Sequence, residues 1–203
     1  MARLIKAIEK KERALGTKLF LKAERCNSPK CVTVRRPYRP GVHGQKRHIV
    51  TEYGKQLNEK QKIQLFYGLS NTQMRNLFKN NQDPNKIIKI LESRLDRVVY
   101  LLGLAASPRI ARQLVSHGHI TVNGRKVTIP SYHVRIGDII GIRSQSRQLK
   151  IFEDLSLRLK QYEPPSWLEL DKEKFEGRCI KEPGGEGFVF PFDINLVVQF
   201  YSR

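Results

Sequence analysis

The stretch ESRLDRVVYLLGLAASPRIARQLVSHGHITVNGRKVTIPSYHVRIGDIIGI, residues 92–142, decides the fold. Ser107 followed by Pro108 is a helix start, with a side-chain acceptor at the cap and a proline at the first helical position, where no backbone donor is missed. Ile110, Ala111, Leu114 and Val115 share one face of that helix, and Arg109, Arg112, Gln113 and Ser116 share the other. His117-Gly118 ends it, glycine suiting the left-handed cap position. Two alternating runs follow, Ile120/Val122 and Val127/Ile129, separated by Asn123-Gly124. That dipeptide predicts a tight hairpin, because a type I′ turn needs positive φ at both central residues. Arg125 and Lys126 project just beyond the turn, and YHVRIGDIIGIR predicts a further strand pair around Gly137-Asp138.

Upstream the pattern is helical. Asp83-Pro84 is another start signal, and Ile87, Ile88, Leu91, Leu95, Val98, Val99 and Leu102 give one apolar stripe with a period of about 3.6 residues. Arg94 and Arg97 fall on the opposite side of this stripe and are expected to stay available. Ser70 with Gln73 three residues later is a capping box that opens a helix through Met74, Leu77 and Phe78. TEYGKQLNEKQKIQLFYG (51–68) places Tyr53, Leu57, Leu65 and Phe66 near helical spacing, and leaves Lys55, Lys60 and Lys62 to solvent or RNA. Leu4, Ile5, Ile8 and Leu15 make a short amphipathic helix ending at Gly16. The stretch RRPYRPGVHGQKR (35–47) holds too much proline and glycine to form a regular element alone. Downstream, 149–161 is weakly helical through Leu149, Phe152, Leu155 and Leu159. Residues 167–192, with Pro183-Gly184-Gly185, read as short extended pieces, and Asp193 caps a last helix through Leu196, Val197 and Phe200.

Charge narrows the function. The 203 residues carry 38 Lys and Arg against 19 Asp and Glu, a net +19. Residues 1–150 hold 31 basic and 9 acidic side chains, the remainder 7 and 10, so the first three quarters stand at +22 and the last at −3. An excess this large resists compaction and favours contact with a polyanion. Asp138 is the only acid among residues 101–150, whereas a merely solvated face mixes both signs. No run approaches the roughly 20 apolar residues of a membrane span. Three cysteines, an odd number, argue against a disulfide framework and for a reducing compartment. No Rossmann-type glycine fingerprint, P-loop or paired metal-binding histidine appears.

These features predict RNA contacts of three kinds. An extended basic arm offers Arg35, Arg36, Tyr38, Arg39, His43, Gln45, Lys46 and Arg47, with His48 beside them, as phosphate ligands and stacking or hydrogen-bonding groups. The helical layer adds Lys55, Lys62, Arg75, Arg94 and Arg97. The helix–hairpin unit adds Arg109, Arg112, Gln113, His117, His119, Asn123, Arg125 and Lys126, suited to phosphates across a groove and to 2′-hydroxyls or base edges.

Residues 92–142 resemble the S4-type RNA-binding module. Together with KLFLKAERC (18–26), RRPYRPGVHGQKR, EYGKQLNEKQKIQLFYG and the terminal QFYSR (199–203), the chain from about Lys18 to Arg203 is similar to the bacterial-type family of small-ribosomal-subunit protein four. The resemblance implies an α+β fold: a mainly helical N-terminal domain with an extended basic arm (1–91), an S4-type αα-β RNA-binding module with a small antiparallel sheet (92–155), and a C-terminal segment whose terminal helix packs back on the helical domain (156–203). It implies a non-enzymatic primary binder of small-subunit rRNA at a multi-helix junction of the 5′ domain, needed early in assembly. It places the protein in the cytoplasm, on the ribosome, beside small-subunit proteins five and three and near the point where mRNA enters. Membranes, cofactors and self-association are not expected. Many members of that family hold zinc with a CxxC and a C-x4-C. Here Cys26 and Cys31 keep the second pair while Glu9 and Glu12 stand at the first, so no metal is expected and the cysteines are a remnant half-site. Cys179 reads as a core cysteine. The family usually has Asn where Arg97 stands and a basic residue where Leu101 stands. Two rivals remain, an enzyme carrying an appended S4-type module and a nonspecific DNA or membrane-surface binder. The first lacks a catalytic domain, and the hairpin module with an aromatic-bearing arm disfavours the second.

Overall fold

The computed structural model describes residues 8–46, 49–184 and 190–202. Readings that fall on Leu4, Ile5, Arg47, His48, Gly185 and Arg203 lie outside these residues. Among the described residues the helices are α1 (Ile8–Leu15), α2 (Ala23–Asn27), α3 (Val32–Arg35), α4 (Glu52–Tyr67), α5 (Asn71–Asn80), α6 (Pro84–Glu92), α7 (Leu95–Leu101), α8 (Pro108–His117), α9 (Leu155–Lys160) and α10 (Ile194–Tyr201). The strands are β1 (Ile120–Val122), β2 (Arg125–Lys126), β3 (Ile139–Ile142), β4 (Leu168–Asp171) and β5 (Glu176–Cys179). They form an antiparallel sheet in the order β2-β1-β3-β5-β4, so the fold is α+β. The chain divides between Ile87 and Ile88, and again between Gly185 and Glu186, into two compact units.

In the first unit the local start signals are realised. Thr51 Oγ1 accepts from Gly54 N, Ser70 and Gln73 complete their reciprocal capping box, and Asp193 Oδ1 accepts from Asn195 N. α10 packs against α4 and α5. The face α4 buries carries Gln56, Ile63 and Tyr67, while Tyr53 is exposed and tilts against Phe200, so the expected stripe of Tyr53 and Leu57 is rotated. Phe66, Tyr67, Phe190 and Phe192 meet edge-on or tilted, and Phe78 stacks on Tyr201. Ile8, Leu19 and Leu21 form a smaller core under Leu65 and Phe66.

The second unit corrects two expectations. The apolar stripe from Ile87 to Leu102 belongs to two helices, not one. Arg94 is extended (φ −66°, ψ 139°) and bridges to His133, while Leu95 and Asp96 donate their N–H groups to the carbonyls of Tyr132 and Pro130. Tertiary acceptors thus replace the helical ones and interrupt the helix, yet both halves still bury the same residue types. For the same reason only the second half of YHVRIGDIIGIR is a strand: residues 130–134 are committed to the α6–α7 junction, and β3 pairs with β1 and β5 instead. The segment after residue 155 supplies α9, β4 and β5, and Tyr162 donates its hydroxyl to the Leu101 carbonyl.

The turn is as the sequence predicts, but its second strand is only Arg125–Lys126, and the Val127/Ile129 run lies beyond it, with Ile129 exposed. Asn123 (φ 50°) and Gly124 (φ 76°) are both left-handed, and Val122 opposes Arg125. Gly177 on β5 lies against buried Leu102, whose side-chain atoms leave no room for a Cβ. Gly177→Ala should therefore destabilise the protein by about 1–3 kcal/mol through overpacking, and Gly177→Val by more; a fall in thermal midpoint in that order checks this.

Candidate nucleic-acid interface

α8 is set by its two ends. Ser107 Oγ accepts from Ile110 N at 3.3 Å, Pro108 occupies the first turn, and Gly118 closes the helix with φ 76°. Ala111, Leu114 and Val115 face the core, which leaves Arg109, Gln113 and His117 exposed. These three recur every fourth residue, so they form one line about 12 Å long on the helix surface. At its C-terminal end the line continues into the hairpin. The His117 and His119 rings lie 6.0 Å apart, and the Lys126 side chain runs across Gly118, where a Cβ would collide with it. Arg125, Lys126 and the Asn123-Gly124 tip are exposed beside them.

His119 Nδ1 bonds Ser146 Oγ at 3.0 Å. Burial holds its pKa below the usual histidine value, reinforced by the neighbouring His117, Arg143 and Lys126. Arg143 was not among the expected residues, and nothing but its charge marks it in the sequence. It reaches this cluster because its N–H donates to the His119 carbonyl.

Several expected ligands are occupied inside the protein. Arg94 and Arg97, expected on an open face, are only 6% and 5% exposed. Arg94 forms a bidentate pair with Asp96 (3.0 and 2.7 Å), which Arg112 joins at 3.5 Å, and Arg97 Nε meets both oxygens of Glu92. Burial lowers the Arg112 pKa, and Asp96 opposes the shift. Glu92 ends α6 and Asp96 lies in the first turn of α7, so the two acids stand on either side of the break at Arg94. Asn123 is exposed, yet its amide nitrogen donates to Asp138 and its amide oxygen accepts from Ile139 N. Lys62 is half-buried against Glu59 at 2.6 Å, Lys55 faces Glu52, and Lys60 lies over the rings of Phe200 and Tyr201. Arg75 is exposed.

The arm is less extended than its composition suggests. After α3 the chain turns twice, Gly44 N donating to the Gly41 carbonyl and Lys46 N to the His43 carbonyl. Arg13 on α1 holds it: the guanidinium donates to the carbonyls of Arg36 and Tyr38 at 3.0–3.1 Å and lies over the Tyr38 ring. Arg13, Lys10, Arg36 and Tyr38 help line an open cleft of about 460 Å³. Arg35, Arg36, Tyr38, His43, Gln45 and Lys46 are exposed, and Arg39 is half-buried.

The carboxylates beside the cysteine pair are also engaged. Glu9 pairs with Lys22 and Arg25, and buried Glu12 accepts from Leu19 N, its pKa raised by burial. Cys26 and Cys31 are buried; burial pushes the Cys26 thiol up, while N–H donors at Val34 and Thr33 outweigh burial at Cys31 and bring it down. Among the described residues no group of three or more His, Cys, Asp or Glu is arranged to hold a metal ion, and no helix is long and apolar enough to cross a membrane.

A helix carrying a line of polar and basic groups into an antiparallel hairpin is the architecture of an S4-type RNA-binding protein. A family model described as "S4 domain" matches residues 93–140, and one described as "Ribosomal protein S4/S9 N-terminal domain" matches residues 3–98. The chain is 47% identical to small ribosomal subunit protein uS4 of Thermus thermophilus and 44% identical to that of Pelotomaculum thermopropionicum, over the full length of each. It is 46% identical to that of Halothermothrix orenii over 93% of both chains. The chain belongs to the uS4 family of small-subunit ribosomal proteins, which are structural and non-enzymatic.

Asp96 anchors two arginines, so its loss strands buried positive charge. Asp96→Ala should cost about 3–5 kcal/mol, as for other buried pairs broken on one side, read as a lowered urea midpoint at unchanged slope.

Proposed function

We propose that this chain is a structural constituent of the cytoplasmic small ribosomal subunit and a primary binder of its rRNA at a multi-helix junction of the 5′ domain. In this reading it nucleates assembly there. It neighbours small-subunit proteins five and three, and it lines the channel near the point where mRNA enters, where it contributes to translational accuracy. The observation that carries the RNA reading is the exposed line Arg109–Gln113–His117 continuing into Lys126 and Arg125, in a stretch (101–150) whose single acid, Asp138, is held by Asn123 and by the Arg135 N–H. Guanidinium and ammonium groups dock on phosphates, and the amide and imidazoles between them reach 2′-hydroxyls. The arm, already folded by Arg13, supplies a second set of cations. Arg94 and Arg97 act in this reading by shaping the module from within, and Arg112 is oriented by Asp96.

Arg109→Ala combined with Lys126→Ala should weaken binding to a 5′-domain rRNA fragment and flatten the dependence of log K on log salt by about one unit for each phosphate no longer neutralised. Filter binding across a salt series measures this; an unchanged slope removes both residues from the phosphate-binding set.

His119 gives a pH dependence. In the free protein its depressed pKa favours the neutral ring, so its contribution to stability is complete above the unfolded value of about 6.5 and is lost as pH falls. Nearby phosphates favour the protonated ring, so binding takes up a proton. Affinity for the rRNA fragment should rise as pH falls from about 7.5 to 5.5, and His119→Gln should flatten that rise.

A further inference from the structure

Asn123-Gly124 is the only Asn-Gly pair in the chain. The sequence makes it a turn, and the structure gives its side chain an unusual set of partners. Asn123 Nδ2 donates to Asp138 Oδ1 at 2.8 Å, and Asn123 Oδ1 accepts from Ile139 N at 2.9 Å. The backbone N–H of Asn123 donates to the Ile139 carbonyl at 2.8 Å, and the second oxygen of Asp138 accepts from Arg135 N at 2.8 Å. The amide is thereby clasped to the start of β3 through both its atoms, while the residue itself stays exposed to solvent.

We propose that Asn123 is a latent deamidation site, kept unreacted by this clasp, and that its modification disables the RNA-binding hairpin. The chemistry needs only water. Solvent base takes the Gly124 N–H proton, and that nitrogen bonds to Asn123 Cγ. The Cγ–Nδ2 bond breaks and Nδ2 leaves as ammonia, closing a five-membered imide. One water then opens the imide at either carbonyl to give aspartate or isoaspartate. One water is consumed, one ammonia is released, and nothing is oxidised or reduced. Glycine has no Cβ to hinder its nitrogen, so the sequence itself favours the step. The fold opposes it: for Cγ to approach the Gly124 nitrogen, the amide must leave both Asp138 and Ile139, and the left-handed turn residues Asn123 and Gly124 must rearrange.

The product is incompatible with the clasp. A carboxylate at position 123 faces the Asp138 carboxylate with no proton to share, a like-charge pair at hydrogen-bond distance. Isoaspartate additionally lengthens the backbone inside the turn, which unsettles the pairings Val122–Arg125 and Thr121–Lys126. Either product sets negative charge beside Arg125 and Lys126. The consequence for RNA rests on the reading proposed above, whereas the protection of Asn123 does not.

The full-length protein is incubated at mildly alkaline pH, natively and in concentrated urea, and the peptide spanning residue 123 is followed by mass spectrometry for the gain of about 1 Da that replaces NH₂ by OH. The native protein should react at least about tenfold more slowly than the unfolded one, since reaction waits on local opening. Asp138→Ala, or Asp138→Asn if the first does not melt cooperatively, should accelerate the native reaction severalfold. Equal rates in buffer and urea, or a rate unchanged in the folded Asp138 variant, would overturn the protection. Asn123→Asp should bind the 5′-domain rRNA fragment about tenfold or more weakly than the wild type at matched salt, through weakened phosphate attraction. Equal binding by the two overturns the inference and leaves the ribosomal reading standing. Failure of the unmodified wild type to bind overturns the ribosomal reading and leaves the protection of Asn123 to be judged by the rates alone.

Discussion

Asp96 receives two hydrogen bonds from Arg94 and one from Arg112, almost wholly out of water. Charges buried this far are tolerable only when paired with good geometry, and the second unit is arranged around that requirement. Arg94 is extended where the helix breaks, and from that position its guanidinium meets Asp96. The break frees the N–H groups of Leu95 and Asp96 for the carbonyls of Tyr132 and Pro130, which pins the chain between the hairpin and β3. Arg112 brings α8 to the same carboxylate. One acid therefore ties together the start of α7, the middle of α8 and the loop that aims the sheet.

The arginines so consumed are as important to the interface as the ones left out. With Arg94, Arg97 and Arg112 facing Asp96 and Glu92, the cations that α8 and the hairpin turn outward are Arg109, Arg125 and Lys126. They stand on a helix capped at both ends and on the tight turn that follows it. A backbone set in this way decides where each of these cations emerges, so less ordering is left to do when a phosphate arrives. In the first unit the same economy appears at Lys62 and Lys60, one held by Glu59 and the other laid over aromatic rings.

What was legible in the sequence follows the range of the interactions. Ser70 with Gln73, Ser107 before Pro108, Gly118 and Asn123-Gly124 act within one turn, and each does in three dimensions what its neighbours in sequence imply. The helix break at Arg94 was not legible, because hydrophobic spacing continues through it and the acceptors at the break, the carbonyls of Tyr132 and Pro130, lie far downstream in the sequence. The occupation of the Asn123 amide by Asp138 and the grip of Arg13 on the arm share that character: each depends on a partner that only the tertiary fold brings near. The basic surface was legible as residue types, whereas the division into free and internally paired cations was not.

Arg13 fastens the arm by donating to two main-chain carbonyls and lying over a ring, and none of those partners carries charge. A tether made to a carboxylate would have neutralised the cation and left an anion for an incoming phosphate to displace. Here the fastening is electrically silent. Among the described residues of the arm, Arg35, Arg36, Arg39 and Lys46 meet no carboxylate, so a polyanion approaching them has no internal rival to evict.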